Sequence, residues 1–152
     1  MKFLCFIVLC LASCGSVKND RMKELRYTID IWDRDYSLAQ TTKYHIDNDS
    51  LVITLISGLK GESDKRLVGR GLEDSEKERI QLFLGKLDLG KLNDRYINDL
   101  IEDGDRKHLV IQLNNDIKKI EIANYYQKNI AELFQTINLT IGDGPKIKYK
   151  QR

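Results

Sequence analysis

From Leu25 to Ile31 the residues alternate strictly: Leu25, Tyr27, Ile29 and Ile31 are apolar, while Arg26, Thr28 and Asp30 are polar. A period of two places every apolar side chain on one face of an extended chain, which fits a strand with one face buried and one face wet. The same period returns at Tyr44 and Ile46 and again from Leu109 to Ile122. Two other stretches switch to helical spacing: Ile80, Phe83, Leu84 and Leu87, then Tyr126, Ile130, Leu133, Phe134 and Ile137. A chain with half-buried strands and two one-sided helices predicts an α+β fold. The expected architecture is a largely antiparallel sheet with two helices packed on one face.

Punctuation between these runs supports the division. Asp33-Arg34-Asp35 is expected to end the first strand, and "DNDS", Asp47 to Ser50, has turn chemistry. "LVITLI", Leu51 to Ile56, is apolar on both faces and predicts an interior strand. A loop over Ser57 to Lys65 and a short strand over Arg66 to Arg70 follow. Ser75 and Glu78 have capping-box spacing at the start of the first helix, Gly85 weakens its end, and Gly90 lies just past it. Taking Asn115-Asp116 as the centre of a hairpin turn pairs Ile111 with Ile120 and Leu109 with Ile122, all four on one face. Ile117 and Val110 then fall on the other face. Asn124 is expected to cap the second helix, which should reach about Asn138. Lys146, Lys148 and Lys150 alternate with Ile147 and Tyr149, the pattern of an edge strand protected by lysines.

The chain has 152 residues and three cysteines, Cys5, Cys10 and Cys14, so nothing after position 14 can form a disulfide or a thiolate site. Phe3 to Leu11 is a nine-residue apolar run behind Met1-Lys2, too short to span a bilayer and the right size for a secretory signal core. "LASC", Leu11 to Cys14, closes that run and resembles the lipobox of bacterial lipoprotein signal peptides. The n-region, with one lysine, is sparser than that pattern. The resemblance implies cleavage before Cys14 and acylation of its sulfur. Residues 1–13 would then be the signal, 14–24 a polar tether, and 25–152 one domain. Two or more acyl chains give stable membrane attachment. The tether, about ten residues, spans roughly 17 Å between its ends. Gly15 stands where an aspartate would retain a lipoprotein on the inner membrane, so the outer membrane of the cell envelope is expected. The layout of the remainder, with "LFQTIN" ending a Tyr-rich helix, resembles small lipoproteins of Bacteroidetes-type bacteria that carry no known activity.

Catalytic patterns are not legible. His45 and His108 have no partner at metal spacing and read as ordinary sheet residues, and there is no G-x-S-x-G elbow. Asn98 to Lys107 approaches a calcium loop, with Gly104 at its sixth position counted from Asp99, but Ile101 and Val110 stand where oxygen ligands belong. Net charge is +2, too small to argue for nucleic acid. No cofactor, metal ligand or catalytic residue is assigned. What stands out is Trp32, which breaks the inward parity of its strand, with Arg34 and Tyr36 close behind in sequence. Trp, Tyr and Arg are the residues enriched where binding energy concentrates. The reading is a lipid-anchored binding or inhibitor module of immunity type, with a protein partner meeting Trp32, Arg34 and Tyr36. The alternatives are a structural accessory subunit of an envelope assembly, or a small hydrolase.

Overall fold

The computed structural model describes residues 25–34, 40–101 and 104–149. Its seven strands are β1 (Tyr27–Arg34), β2 (Gln40–Asp47), β3 (Ser50–Ser57), β4 (Lys65–Gly71), β5 (Arg95–Ile97), β6 (Arg106–Leu113) and β7 (Asp116–Ala123). The helices are α1 (Asp74–Leu84), between β4 and β5, and α2 (Lys128–Ile141), after β7. The strands make one sheet in the order β4-β3-β2-β1-β6-β7-β5. Every pair is antiparallel except β5 with β7. Tyr27, Ile29 and Ile31 of β1, with Tyr44, Ile46, Leu51, Ile53, Leu109 and Ile111, form the floor of a single core. Ile80 and Leu84 of α1, and Ile130, Leu133, Phe134 and Ile137 of α2, close it from above. The protein is therefore an α+β sheet with both helices on one face, and among the described residues no element covers the opposite face.

Local chemistry sets the joints. Asp47 Oδ1 accepts the Asp49 and Ser50 N–H groups at 2.8 and 2.7 Å, turning β2 into β3. Although partial burial alone would raise the Asp47 carboxyl, those two N–H groups hold it below its ordinary value. Asn48 next to it extends the sheet with its side chain, accepting from Tyr27 N–H at 2.9 Å and donating to the Leu25 carbonyl at 2.7 Å.

Several sequence expectations are corrected. β1 ends at Arg34, within the expected Asp33-Arg34-Asp35 break, but Asp33 is still paired in the strand, its inward-pointing carboxylate meeting buried Lys107. The β6–β7 hairpin turns at Asn114-Asn115, one residue earlier than expected, so Leu113 faces Asp116 and Leu109 faces Ile120, while Ile111 faces Lys118. Asn114 takes the left-handed conformation (φ 53°) and is tied to the start of β1, its N–H donating to the Arg26 carbonyl at 2.7 Å. Moving the turn by one residue displaces each cross-strand partner by two, so the faces survive: Leu109, Ile111, Ile120 and Ile122 are all buried. Ile117 lies on the outer face and is exposed.

The helix starts also differ. The cap of α1 is Glu73, not Ser75, and Glu76 reaches back to the Glu73 N–H at 2.9 Å. Arg70 decides this choice by gripping both Glu76 oxygens, at 2.8 and 2.7 Å. Gln127, not Asn124, caps α2, its Oε1 accepting from Ile130 N–H at 2.7 Å. Of the expected stripe only Tyr126 stays outside the core. Asn124 is instead left-handed (φ 51°) and holds the loop before β6, accepting from Asp105 N–H at 3.1 Å and donating to the Ile101 carbonyl at 3.2 Å. Residues 145–149 are not a strand. Asn138 of α2 offers its carboxamide to both backbone groups of Ile147, at 2.8 and 2.9 Å, and so draws Ile147 into the core. Tyr149 then stacks on Tyr126 and meets Phe134 edge-on. Lys150 lies outside the described residues.

The Arg70–Glu76 contact yields a pH prediction. The hydrogen bonds from Arg70 hold the Glu76 carboxyl below its ordinary value of 4.5. A carboxyl lowered by folding contributes stability that is complete above the unfolded value and is lost as pH falls through the folded one. Glu76→Gln is expected to lower stability by about 1 kcal/mol near neutrality, the low end because the Arg70 side chain is one-third exposed. It should also remove part of the decline seen as pH falls below the ordinary carboxyl value of 4.5, read from urea midpoints. An acid limb identical to that of the wild type would show that the contact contributes nothing.

Candidate functional site: the open face of the sheet

Strand parity populates the open face. With Tyr27, Ile29 and Ile31 inward, β1 turns Thr28, Asp30, Trp32 and Arg34 outward. Cross-strand pairing carries this across the sheet. Thr54, Lys43, Trp32, His108, Glu121 and Arg95 stand in one row spanning β3 to β5. Directly opposed residues are close enough for their side chains to interact, so a row is a unit of surface. Trp32 sits in the middle of this one, half-buried and not part of the core.

The indole is flanked on both sides. Lys43 Nζ lies 5.0 Å from its ring centroid, within cation–π range, and 3.5 Å from Asp30 Oδ1. On the other side stands the exposed His108. An open depression of about 1020 Å³ runs from Trp32 and Arg34 past Val110 and Ile117 to Lys119 and Arg95. His45, one row away, points Nδ1 at Asp30 Oδ1 (2.9 Å) and Nε2 at Asp47 Oδ2 (3.7 Å). Both histidines are sheet residues, and both belong to this face.

The charges are uneven. By strand parity six cationic side chains, Arg34, Lys43, Arg66, Arg95, Arg106 and Lys119, face outward against three carboxylates, Asp30, Asp47 and Glu121, while Asp94, before β5, also lines the depression and is paired with Lys118. Lys43 and Arg95 are engaged, with Asp30 and with Glu121 at 3.4 Å. Arg34, Arg66, Arg106 and Lys119 form no ion pair among the described residues. Exposed charges without partners cost nothing in water and are available to a ligand.

Among the described residues a second cluster of charged groups lies on the inner face. Lys107, on the inner face of β6, is 2% exposed, and its Nζ lies 2.6 Å from Asp33 Oδ1 and 3.0 Å from Asp105 Oδ1. Burial pushes the Asp33 carboxyl up from its ordinary value even though the Lys107 charge pulls it down. Both contacts lie within the chain, so the cluster ties β1 to β6 and the loop before it. Among the described residues no three His, Cys, Asp or Glu side chains gather as metal ligands, and no helix is long and apolar enough to cross a membrane.

Of the residues singled out from sequence, Trp32 and Arg34 share the open face, while Cys14 and Tyr36 lie outside the described residues. Sequence reasoning missed Lys43, His108, Arg95 and Lys119, which reach Trp32 only through pairing between distant strands. The parity break at Trp32 was the one signal pointing to this face. Neither protein-family models nor curated proteins yield a match to the chain.

Proposed function

We propose that this protein is a lipid-anchored binding module of the bacterial cell envelope, held at the outer membrane through Cys14 and engaging a protein partner with the open face of its sheet. The observation that carries the reading is Trp32, a large half-buried aromatic on a face that neither helix covers, at the edge of a depression whose Arg34 and Lys119 form no ion pair among the described residues. Contiguous exposed surface that joins an aromatic anchor to a polar rim is the anatomy of an interaction site. The membrane part rests on the lipobox-like "LASC" and on the nine-residue apolar run before it. An inhibitor of immunity type fits this anatomy, since such a protein needs a rigid surface and no chemistry of its own.

The test uses the full chain in a lipoprotein-competent host fed labelled fatty acid. A photo-cross-linking residue is placed at Thr54 on the open face or at Leu139, exposed on α2. Label should appear in the wild type and vanish in Cys14→Ser. A discrete covalent adduct should form from position 54 and not from position 139. Label retained by Cys14→Ser removes the anchor from the proposal. Adducts formed only from position 139 move the partner to the helical layer.

A further inference from the structure

We infer that the partner presents an acidic surface from which an apolar or aromatic side chain projects into the depression beside Trp32. The inference rests on the open face being the docking surface. Charge is the first argument. The whole chain nearly balances 25 cationic residues against 23 acidic ones, yet the outward positions of the strands carry six cations against three carboxylates. The four cations without ion pairs among the described residues are spread over this face, at the ends of β1 and β6 and on β4 and β7, and Arg34 and Lys119 of them line the depression with Trp32. Complementary charge is what such a rim selects, and it acts mainly on association rate and on the rejection of wrong partners.

Shape and charge separate the possible occupants. A second copy of this face would bring like charges together and leave the same cations unpaired. A polyphosphate backbone would meet the cations but has no apolar group to fill the hollow beside Trp32, Val110 and Ile117. A bilayer is anionic in places but planar, and it has nothing to fill a hollow walled by Trp32, Val110 and Ile117. A protein segment supplies both features, with carboxylates for the rim cations and a side chain for the hollow. The Arg95–Glu121 pair lines the hollow, and the Lys43–Asp30 pair lies on the far side of Trp32 from it.

The experiment uses the full chain carrying Cys14→Ser, so that lipid does not obscure binding. It is immobilised and offered displayed random short peptides and, separately, vesicles of equal parts phosphatidylcholine and phosphatidylglycerol. Selected peptides should combine Asp or Glu with a central aromatic or aliphatic residue. Their affinity should fall about tenfold for each of Arg34→Glu and Lys119→Glu. It should weaken with added salt and stay unchanged in Leu139→Ala. Thermal midpoints of the two reversal variants report that both remain folded. Peptides that need Trp32 but are neutral, and indifferent to charge reversal, overturn the acidic partner and leave the docking face in place. Peptides indifferent to Trp32→Ala overturn the docking face itself. Vesicle binding abolished by the same reversals assigns the face to a membrane surface and overturns the inference.

Discussion

Lys107→Met is expected to destabilise the fold by about 3–5 kcal/mol, enough to consume much of the stability of a domain this size. The lysine side chain is 1% exposed and that of Asp33 is 14% exposed, so water solvates neither charge well. Replacing the ammonium with a thioether of similar length preserves packing and leaves the Asp33 carboxylate buried without its cation. The penalty depends on pH with a definite sign. Burial already raises the folded-state value of Asp33, so the native state binds a proton more readily than the unfolded chain does. Stability therefore falls as pH rises through the interval between the ordinary carboxyl value, 3.8, and the raised one, and is level above it. Without Lys107 the raised value climbs further, and the decline should be steeper and extend to higher pH. Adding Asp33→Leu to Lys107→Met should recover most of the loss and flatten this dependence, because a buried pair replaced by apolar groups is close to neutral. Urea midpoints of the single and double variants at several pH values measure both effects. A single variant within about 1 kcal/mol of wild type would mean that water reaches the pair and screens it.

Trp32→Ala should leave the fold nearly intact and weaken binding at least about thirtyfold, the equivalent of roughly 2 kcal/mol. Two accounts of this residue compete, and they place the cost in different measurements. A tryptophan that plugs the core costs about 3–5 kcal/mol of folding stability when cut to alanine. Trp32 stands on the open face, outside the core cluster, with Lys43 over its ring, so its removal opens no internal cavity. The expected loss of stability is about 1 kcal/mol, from the cation–π contact and the partial burial. Thermal midpoint and affinity for peptides selected on the wild type, measured on the same preparation, settle the assignment. A large drop in midpoint with unchanged affinity per folded molecule would return Trp32 to the core.

Much of this architecture was legible in the order of the residues because local periodicity and burial agree. Alternation at Leu25 to Ile31 marks β1, and spacing at Ile130, Leu133, Phe134 and Ile137 marks the inner stripe of α2, since an element with one apolar face must bury that face. The faces of the β6–β7 hairpin were also readable, because side-chain direction depends only on parity, which a two-residue change of partner preserves. The parity break at Trp32 is visible for the same reason. What sequence could not decide is every choice between local options of similar energy. Ser75 and Glu73 are both competent to start α1, and Arg70 selects Glu73 by holding Glu76. Either adjacent pair, Asn114-Asn115 or Asn115-Asp116, can turn a hairpin, and the bond from Asn114 to the Arg26 carbonyl, 88 residues back in the chain, settles which does. The lysine-rich tail alternates like a strand, but Asn138 supplies the backbone bonds that a neighbouring strand would have supplied. The open face has the same origin. Lys43, His108, Glu121 and Arg95 become neighbours of Trp32 only when five strands pair in register, and Lys107 becomes a buried cation only when β6 lies beside β1. One-dimensional pattern determined which faces are buried, because that is a property of each element alone. Tertiary structure determined which residues share a surface, because long-range pairing and a few buried polar contacts break ties that local propensity leaves open.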